Sequence, residues 1–297
     1  MQQKSKAHLA LLLTNIFFAI NYTAVKLLIN NALIKPFGLN LMRVGVSAIL
    51  LWVLYIFKPV KTTINKKDFS RFFLCALTGI AINQLLFIKG LSLTYSIHAS
   101  LLMLTTPILI TFIAAWFLNE NLNAYKLAGL AMGITGAVVL ITTRNKGGNA
   151  NEVLYGDLLI IINAISYTIY FILVKPLMHK YEPITVIRFI FSIGFFLMLP
   201  FCWTEFREIP WQSYTISSYS LLALIIIGGT FLAYIFNVYG IKILGASMAG
   251  TYIYSQPVFA ATIAIIFLGE ELTINKLIAA VFIFAGVYLA NKTNNNG

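Results

Sequence analysis

Acidic side chains are scarce. The 297-residue chain carries nine Asp and Glu against 21 Lys and Arg, and charged residues make up only 10% of it. Soluble domains carry about 25%, so a water-covered globular surface is excluded, and with it an ordinary soluble enzyme. Cysteine is limited to Cys75 and Cys202, both inside apolar runs. That excludes a disulfide framework and leaves two thiols acting as small hydrophobes. Enzyme signatures are missing too. There is no GxxxxGK(S/T) phosphate loop and no HExxH, and His8, His98 and His179 lie far apart. GASMAG at 245–250 only approaches G-x-S-x-G, and it opens an apolar helix instead of following a strand. No catalytic residue, cofactor or metal site is expected.

Apolar residues fill the space, at 60% of the chain. They gather in runs long enough to span a bilayer as helices, which takes about 20 residues each. Ten spans are read, at about 7–30, 37–57, 69–90, 95–118, 124–143, 154–177, 183–203, 218–242, 246–268 and 274–291. A lipid-spanning barrel would alternate in segments of about ten residues, and these runs do not. The expected class is an all-α polytopic membrane protein with ten transmembrane helices. Lys4 and Lys6 before LALLL resemble a signal peptide, but no small-residue cleavage site follows, so the segment is kept as the first helix. With the N-terminus inside, eleven loop Lys/Arg fall on the cytoplasmic side and five outside. KPVKTTINKKDFSR carries most of that bias, and both termini are expected in the cytoplasm of a cell with this chain in its inner membrane. The basic excess therefore points to orientation in a lipid bilayer and not to nucleic acid.

An internal repeat organises the chain. Shifted by 150, residues 79–141 lie on 229–291 without a gap, with 13 identities in 63 pairs. They include Gly79/Gly229, Gly90/Gly240, Pro107/Pro257, Glu120/Glu270, Lys126/Lys276 and Gly136/Gly286. The first two helices match more loosely: Val25-Lys26 falls on Val174-Lys175 at 149, and Arg43 on Arg188 at 145. A fixed-period match is the signature of a structural repeat. The expected division is a first five-helix repeat at 7–143, a linker at 144–153 and a second repeat at 154–291. Five is odd, so the second copy enters the membrane upside down. Inverted repeats place a substrate site near the midplane, between the copies.

GLSLTYSIHASLLMLTTPILITFIAAWFLNENLN and GIKILGASMAGTYIYSQPVFAATIAIIFLGEELT both resemble the repeat of EamA-type transporters, in the drug/metabolite transporter superfamily. Each has a short loop of small residues, a helix with one central Pro, and an apolar run closing on Glu and Leu. FFAINYTAVK is similar to the family's first-helix Trp-Gly-Ser-Asn-Phe segment, with Phe18, Ala19 and Ile20 in place of Trp, Gly and Ser, and Asn21 kept. SYTIYFILVKPL resembles the sixth-helix pattern, with Tyr167 in place of Trp. The resemblance implies ten helices, a central cavity, alternating access and small organic substrates, often exported.

All nine acids are read in loops or within about a turn of a helix end, and none at mid-membrane. Small multidrug transporters of the same superfamily use an embedded Glu; a cation-exporting device of that kind is not expected here. Glu120 and Glu270-Glu271 are read as interfacial caps where helices four and nine end. Cations are placed differently. Lys26, Arg43, Lys89, Lys175 and Arg188 fall within or near the ends of apolar spans, where a charge snorkels to the interface or faces a cavity. Amide and phenol stripes add Asn163, Ser166 and Tyr170 on one helical face, and Asn15, Tyr22 and Lys26 on another. Such groups need partners, either across helices or in a water-filled cavity.

The candidate substrate-binding residues are Asn21, Tyr22, Lys26, Arg43, Asn83, Gln84, Asn163, Tyr170, Arg188, Tyr234, Asn237, Tyr252 and Gln256. Pro107 and Pro257 are read as paired hinges or static kinks. Each removes a helical donor and orphans the carbonyls of Met103 and Ile253, with Thr105, Thr106, Ser255 and Gln256 at hand to compensate. The small face of Gly129, Gly133 and Gly136 allows close packing within the monomer or in a homodimer. The expected activity is secondary-active or facilitative transport of anionic, zwitterionic or neutral metabolites. The alternatives are a flippase for lipid-linked substrates and a channel.

Overall fold

The computed structural model describes residues 2–57, 59, 64–109, 113, 124–142, 150–244 and 252–290. Among these are ten helices: α1 (Gln2–Asn30), α2 (Pro36–Phe57), α3 (Lys66–Leu93), α4 (Ser96–Leu109), α5 (Ala124–Thr142), α6 (Ala150–Lys180), α7 (Pro183–Arg207), α8 (Ile216–Leu244), α9 (Gln256–Leu268) and α10 (Ile274–Ala290). Seven are long and apolar enough to cross a membrane, and α4, α9 and α10 are shorter. The chain is an all-α, multi-pass membrane protein. Glu120, GASMAG at 245–250 and residues 144–149 of the linker lie outside the described residues.

Each helix packs on its counterpart or on helices of the other repeat. α5 runs along α10 and α2 along α7; α1 packs on α8 and α9 as α6 packs on α3 and α4. The small-residue face of α5 is taken up within the chain. A Cβ on Gly136 would lie 2.8 Å from the Ala279 carbonyl of α10, and one on Gly286 2.7 Å from the Gly129 carbonyl. The two contacts are the same contact, 150 residues apart.

Helix starts are also capped across the repeats. Glu205 of α7 accepts the Phe37 and Gly38 amides of α2 at 2.6 and 3.2 Å. Glu270 accepts the Ser96 and Ile97 amides of α4 at 2.7 and 3.0 Å. A carboxylate there satisfies orphan donors and the positive end of the helix dipole. Glu270 was expected to close its own helix. Instead Gly269, in the left-handed region at φ 64°, ends α9 and turns the chain so that Glu270 reaches α4.

Two sections have wide, π-type turns: Leu77–Ile82 in α3 and Leu224–Leu232 in α8. Ile82 and Leu232 are equivalent at the repeat offset, so both sections end at the same place. α4 and the start of α9 break together as well. Leu104 and Tyr254 are turns between helical residues, and the hydroxyls of Thr105 and Ser255 donate to the carbonyls of Leu102 and Tyr252. These partners lie one residue before the carbonyls expected from Pro107 and Pro257.

Candidate substrate cavity

The wide turns set up the centre of the molecule. Side chains of neighbouring helices donate to carbonyls within the wide sections or just beyond their ends. Ser166 Oγ donates to the Thr78 carbonyl at 2.7 Å, Asn163 Nδ2 to Asn83 at 2.6 Å and Asn40 Nδ2 to Gln84 at 2.6 Å. In the second repeat Thr14 Oγ1 donates to the Ala233 carbonyl at 3.3 Å. Thr14 and Asn163 match at an offset of 149, and Asn83 and Ala233 at 150. The same carbonyl is served from the same helix in both copies.

Close backbone approach brings the walls together. A Cβ on Gly79 would meet the Tyr170 ring at 2.3 Å, and one on Gly229 the Asn21 side chain at 2.7 Å. Between the helices lies a cavity of about 140 Å³. α1 contributes Thr14, Asn15, Phe18, Asn21 and Tyr22, and α2 contributes Arg43. α3 adds Asn83, Gln84 and Phe87; α4 adds Met103 and Thr106; α6 adds Asn163 and Tyr167. Tyr234 and Asn237 come from α8, and Ile253 and Gln256 from around the start of α9. The lining obeys the repeat: Thr14 matches Asn163, Phe18 Tyr167, Gln84 Tyr234, Phe87 Asn237, Met103 Ile253 and Thr106 Gln256. Gln84 Nε2 donates to Tyr234 Oη at 3.4 Å, so two equivalent residues meet on the pseudo-twofold axis.

Part of the polar lining is satisfied internally. Gln84 Nε2 also reaches Asn83 Oδ1 at 3.1 Å, and Gln256 Nε2 donates to Asn15 Oδ1 at 2.7 Å. Arg43 is buried, and its Nε donates to Thr230 Oγ1 at 3.1 Å. Thr230 in turn donates to the Ile225 carbonyl in the π section. Among the described residues, four buried atoms on the lining have no partner: Arg43 Nη1, Asn21 Oδ1, Asn163 Oδ1 and Thr106 Oγ1. Among the described residues the lining combines one cation, several amides and aromatic faces, and no carboxylate.

Nine of the thirteen sequence candidates line this cavity: Asn21, Tyr22, Arg43, Asn83, Gln84, Asn163, Tyr234, Asn237 and Gln256. Four lie elsewhere. Tyr170 packs behind the wall, over Gly79 and against Tyr167. Tyr252 bonds His8 Nδ1 at 2.8 Å. Arg188 sits over the rings of Tyr55 and Trp52, 3.8 and 4.7 Å from their centroids. Lys26 donates to the Thr94 carbonyl and lies over Tyr95. Thr14, Asn15, Phe18, Phe87, Met103, Thr106, Tyr167 and Ile253 were absent from the thirteen substrate-binding candidates. Applying the repeat offset to Asn163, Asn237 and Gln256 would have found Thr14, Phe87 and Thr106.

Lys26 belongs to a second buried group, about a turn beyond Tyr22 on α1. Asp157 was read near a helix end, but α6 starts at Ala150 and carries it about two turns in, fully buried. It accepts from Thr94 Oγ1, and its other oxygen lies 3.0 Å from His98 Nδ1. Lys276 is buried, donates to the Glu271 carbonyl at 2.7 Å and sits 4.9 Å from the Tyr95 centroid. Burial, then the nearby Glu270 carboxylate, pushes the Tyr95 phenol above its ordinary range.

The EamA-like transporter family model matches this sequence twice, over residues 5–142 and 154–292. The chain belongs to that family. This EamA-like transporter is 25% identical over 286 residues to an uncharacterized transporter of Archaeoglobus fulgidus, covering 96% of this chain and 97% of that one. It is 25% identical to the uncharacterized transporter YoaV of Bacillus subtilis, covering 96% of each. A protein named "Probable terminal-alkyne amino-acid exporter", from Streptantibioticus cattleyicolor, is 26% identical over 97% of this chain and 94% of its own. A crystal structure at 20% identity superposes with a TM-score of 0.61, over 94% of this EamA-like transporter and 96% of its own chain. That likeness shows the fold.

Proposed function

We propose that this transporter moves small carboxylate-bearing organic solutes, amino-acid-like or otherwise anionic, zwitterionic or neutral overall, by alternating access of the central cavity. The repeats at 7–143 and 154–291, joined by the linker at 144–153 whose last four residues open α6, rock about the axis through Gln84 and Tyr234. Both termini lie in the cytoplasm, the chain resides in the inner membrane, and the direction is export. Pro107 and Pro257 serve as the paired hinges beside the cavity. The observation that carries the reading is the unpartnered set on its walls. The Arg43 Nη1 donor suits a carboxylate, and the Asn21 and Asn163 oxygens suit an ammonium or hydroxyl. A buried cation with no carboxylate beside it among the described residues favours an anionic guest. The exporter name of the Streptantibioticus relative agrees with this direction and class.

Reconstitution in liposomes tests it. Counterflow against a library of amino acids, organic acids, neutral metabolites and polyamines is measured with and without a pH gradient. Saturable flux of carboxylate solutes is expected, together with failure of polyamines to compete. Polyamine-selective flux overturns the substrate class, and uncoupled conductance in planar bilayers overturns the transporter mechanism in favour of a channel. Replacing both Pro107 and Pro257 with Ala and finding unchanged flux removes the hinges.

A further inference from the structure

A second hollow lies on the outside of the bundle, in the seam where α2 runs along α7. It measures about 540 Å³, and its walls are almost wholly apolar. Ile49, Val53 and Ile56 of α2 stand on one side, and Phe195, Phe196 and Trp203 of α7 on the other. From Ser192 to Phe206 the lining follows about 21 Å of α7, more than the roughly 15 Å depth of one leaflet's hydrocarbon. The two ends of the seam differ in charge. At the Arg207 end Lys35 pairs with Glu208, and Glu205 caps α2. At the other end Arg188 is only 4% exposed, and its Nε has no partner among the described residues. Arg188 rests on Trp52 and Tyr55. Trp52 lines the seam and is pinned by donating to Ser192 Oγ at 2.9 Å. Trp and Tyr near a helix end mark the headgroup level. Beside them Phe189 opens a hollow of about 450 Å³ that also holds Asn65, Lys66 and Phe69. The rings of Trp52 and Phe189 are 5.8 Å apart and both lie against Arg188, so seam and hollow meet there. The neighbouring acids are engaged: Asp68 with Lys180 and Tyr181, Glu182 with Lys242. Lys66, Lys67 and Arg71, all exposed, keep this end cationic.

We propose that this seam holds one anionic phospholipid, its phosphate at Arg188 and Lys66 and one acyl chain between α2 and α7. A guanidinium with an unused Nε donor, beside an ammonium, matches phosphate oxygens. A buried cation with no anion beside it is costly until one arrives. Basic hollows between helices at the membrane surface take such headgroups. The apolar walls accept the chain and reject the headgroup, which fixes the lipid's direction along the seam. A zwitterionic lipid brings a cation of its own to the cationic end and is disfavoured. The site is separate from the solute cavity, for none of these residues lines it.

Native mass spectrometry of the full-length transporter, released from detergent, reads the bound lipid directly. Phosphatidylglycerol and phosphatidylcholine with the same acyl chains are titrated in competition. One phosphatidylglycerol is expected to stay bound, preferred at least about tenfold, the contribution of one charged hydrogen bond. Arg188→Gln and Lys66→Gln each reduce that preference, while Arg207→Gln at the opposite end keeps it. Ile49→Trp, which fills the seam, lowers retention of both lipids. Lys66 is exposed, so its variant reads the headgroup site even where Arg188→Gln does not fold. Equal retention of the two lipids overturns the proposal. So does a preference untouched by either cation variant, or a retention untouched by Ile49→Trp. Displacement by glycerol phosphate, which has no acyl chain, makes this a site for a free anion and removes the lipid. A dimer that forms as phosphatidylglycerol is excluded assigns the seam to a second copy instead.

Discussion

Arg43 and Arg188 occupy corresponding places in α2 and α7, and their fates differ. Arg43 turns into the cavity and is held there by Thr230 of the α8 π section. The residue matching Thr230 is Ile80, which packs against Gly194 of α7 and offers no acceptor. Arg188 accordingly lies on the faces of Tyr55, Trp52 and Phe189, where ring quadrupoles replace a hydrogen-bonding partner. The helix arrangement is shared by the two copies, while one partner side chain decides which cation faces the cavity.

The sharpest break of this comparison is Arg43→Gln against Arg188→Gln. The first is expected to lower carboxylate flux at least about tenfold, the loss of one charged hydrogen bond. The second should leave flux within about twofold in the same proteoliposome assay. Next come the matched glycines. Gly79→Ala should cost about 1–3 kcal/mol by overpacking, because the Tyr170 ring cannot yield. Gly229→Ala should cost less, since Asn21 can rotate, but it pushes Asn21 within the cavity and impairs flux. Thermal unfolding in detergent ranks the two. Thr230→Val leaves Arg43 Nε without its acceptor and should cost about 1–2 kcal/mol, a loss that the matching Ile80→Val lacks. The smallest effect is Trp52→Leu, which removes one of three rings under Arg188 and should cost about 0.5–1 kcal/mol with flux unchanged.

The repeat, the helix count and much of the polar lining are legible in the sequence because each rests on periodicity or on residues costly to bury. Asn163 and Gln256 are visible as amides inside apolar runs. Phe18, Phe87, Met103 and Ile253 are not, since an apolar residue facing a cavity looks like one facing lipid. Asp157 is misplaced because the helix start was set at the first apolar residue. The structure begins α6 four residues earlier, with Glu152 in its first turn, where the helix dipole favours an acid. Glu270 is assigned to the wrong helix because sequence shows only local neighbours, and its partners lie 174 and 173 residues away. The π sections leave no mark in composition, for Leu77–Ile82 and Leu224–Leu232 read as ordinary apolar helix.

Those two widened turns finish at the same repeat position although the residues forming them have largely diverged. An irregularity arising independently would have little reason to stop at one register twice. The wide turn is therefore tied to the register of the repeat and not to the particular side chains that form it.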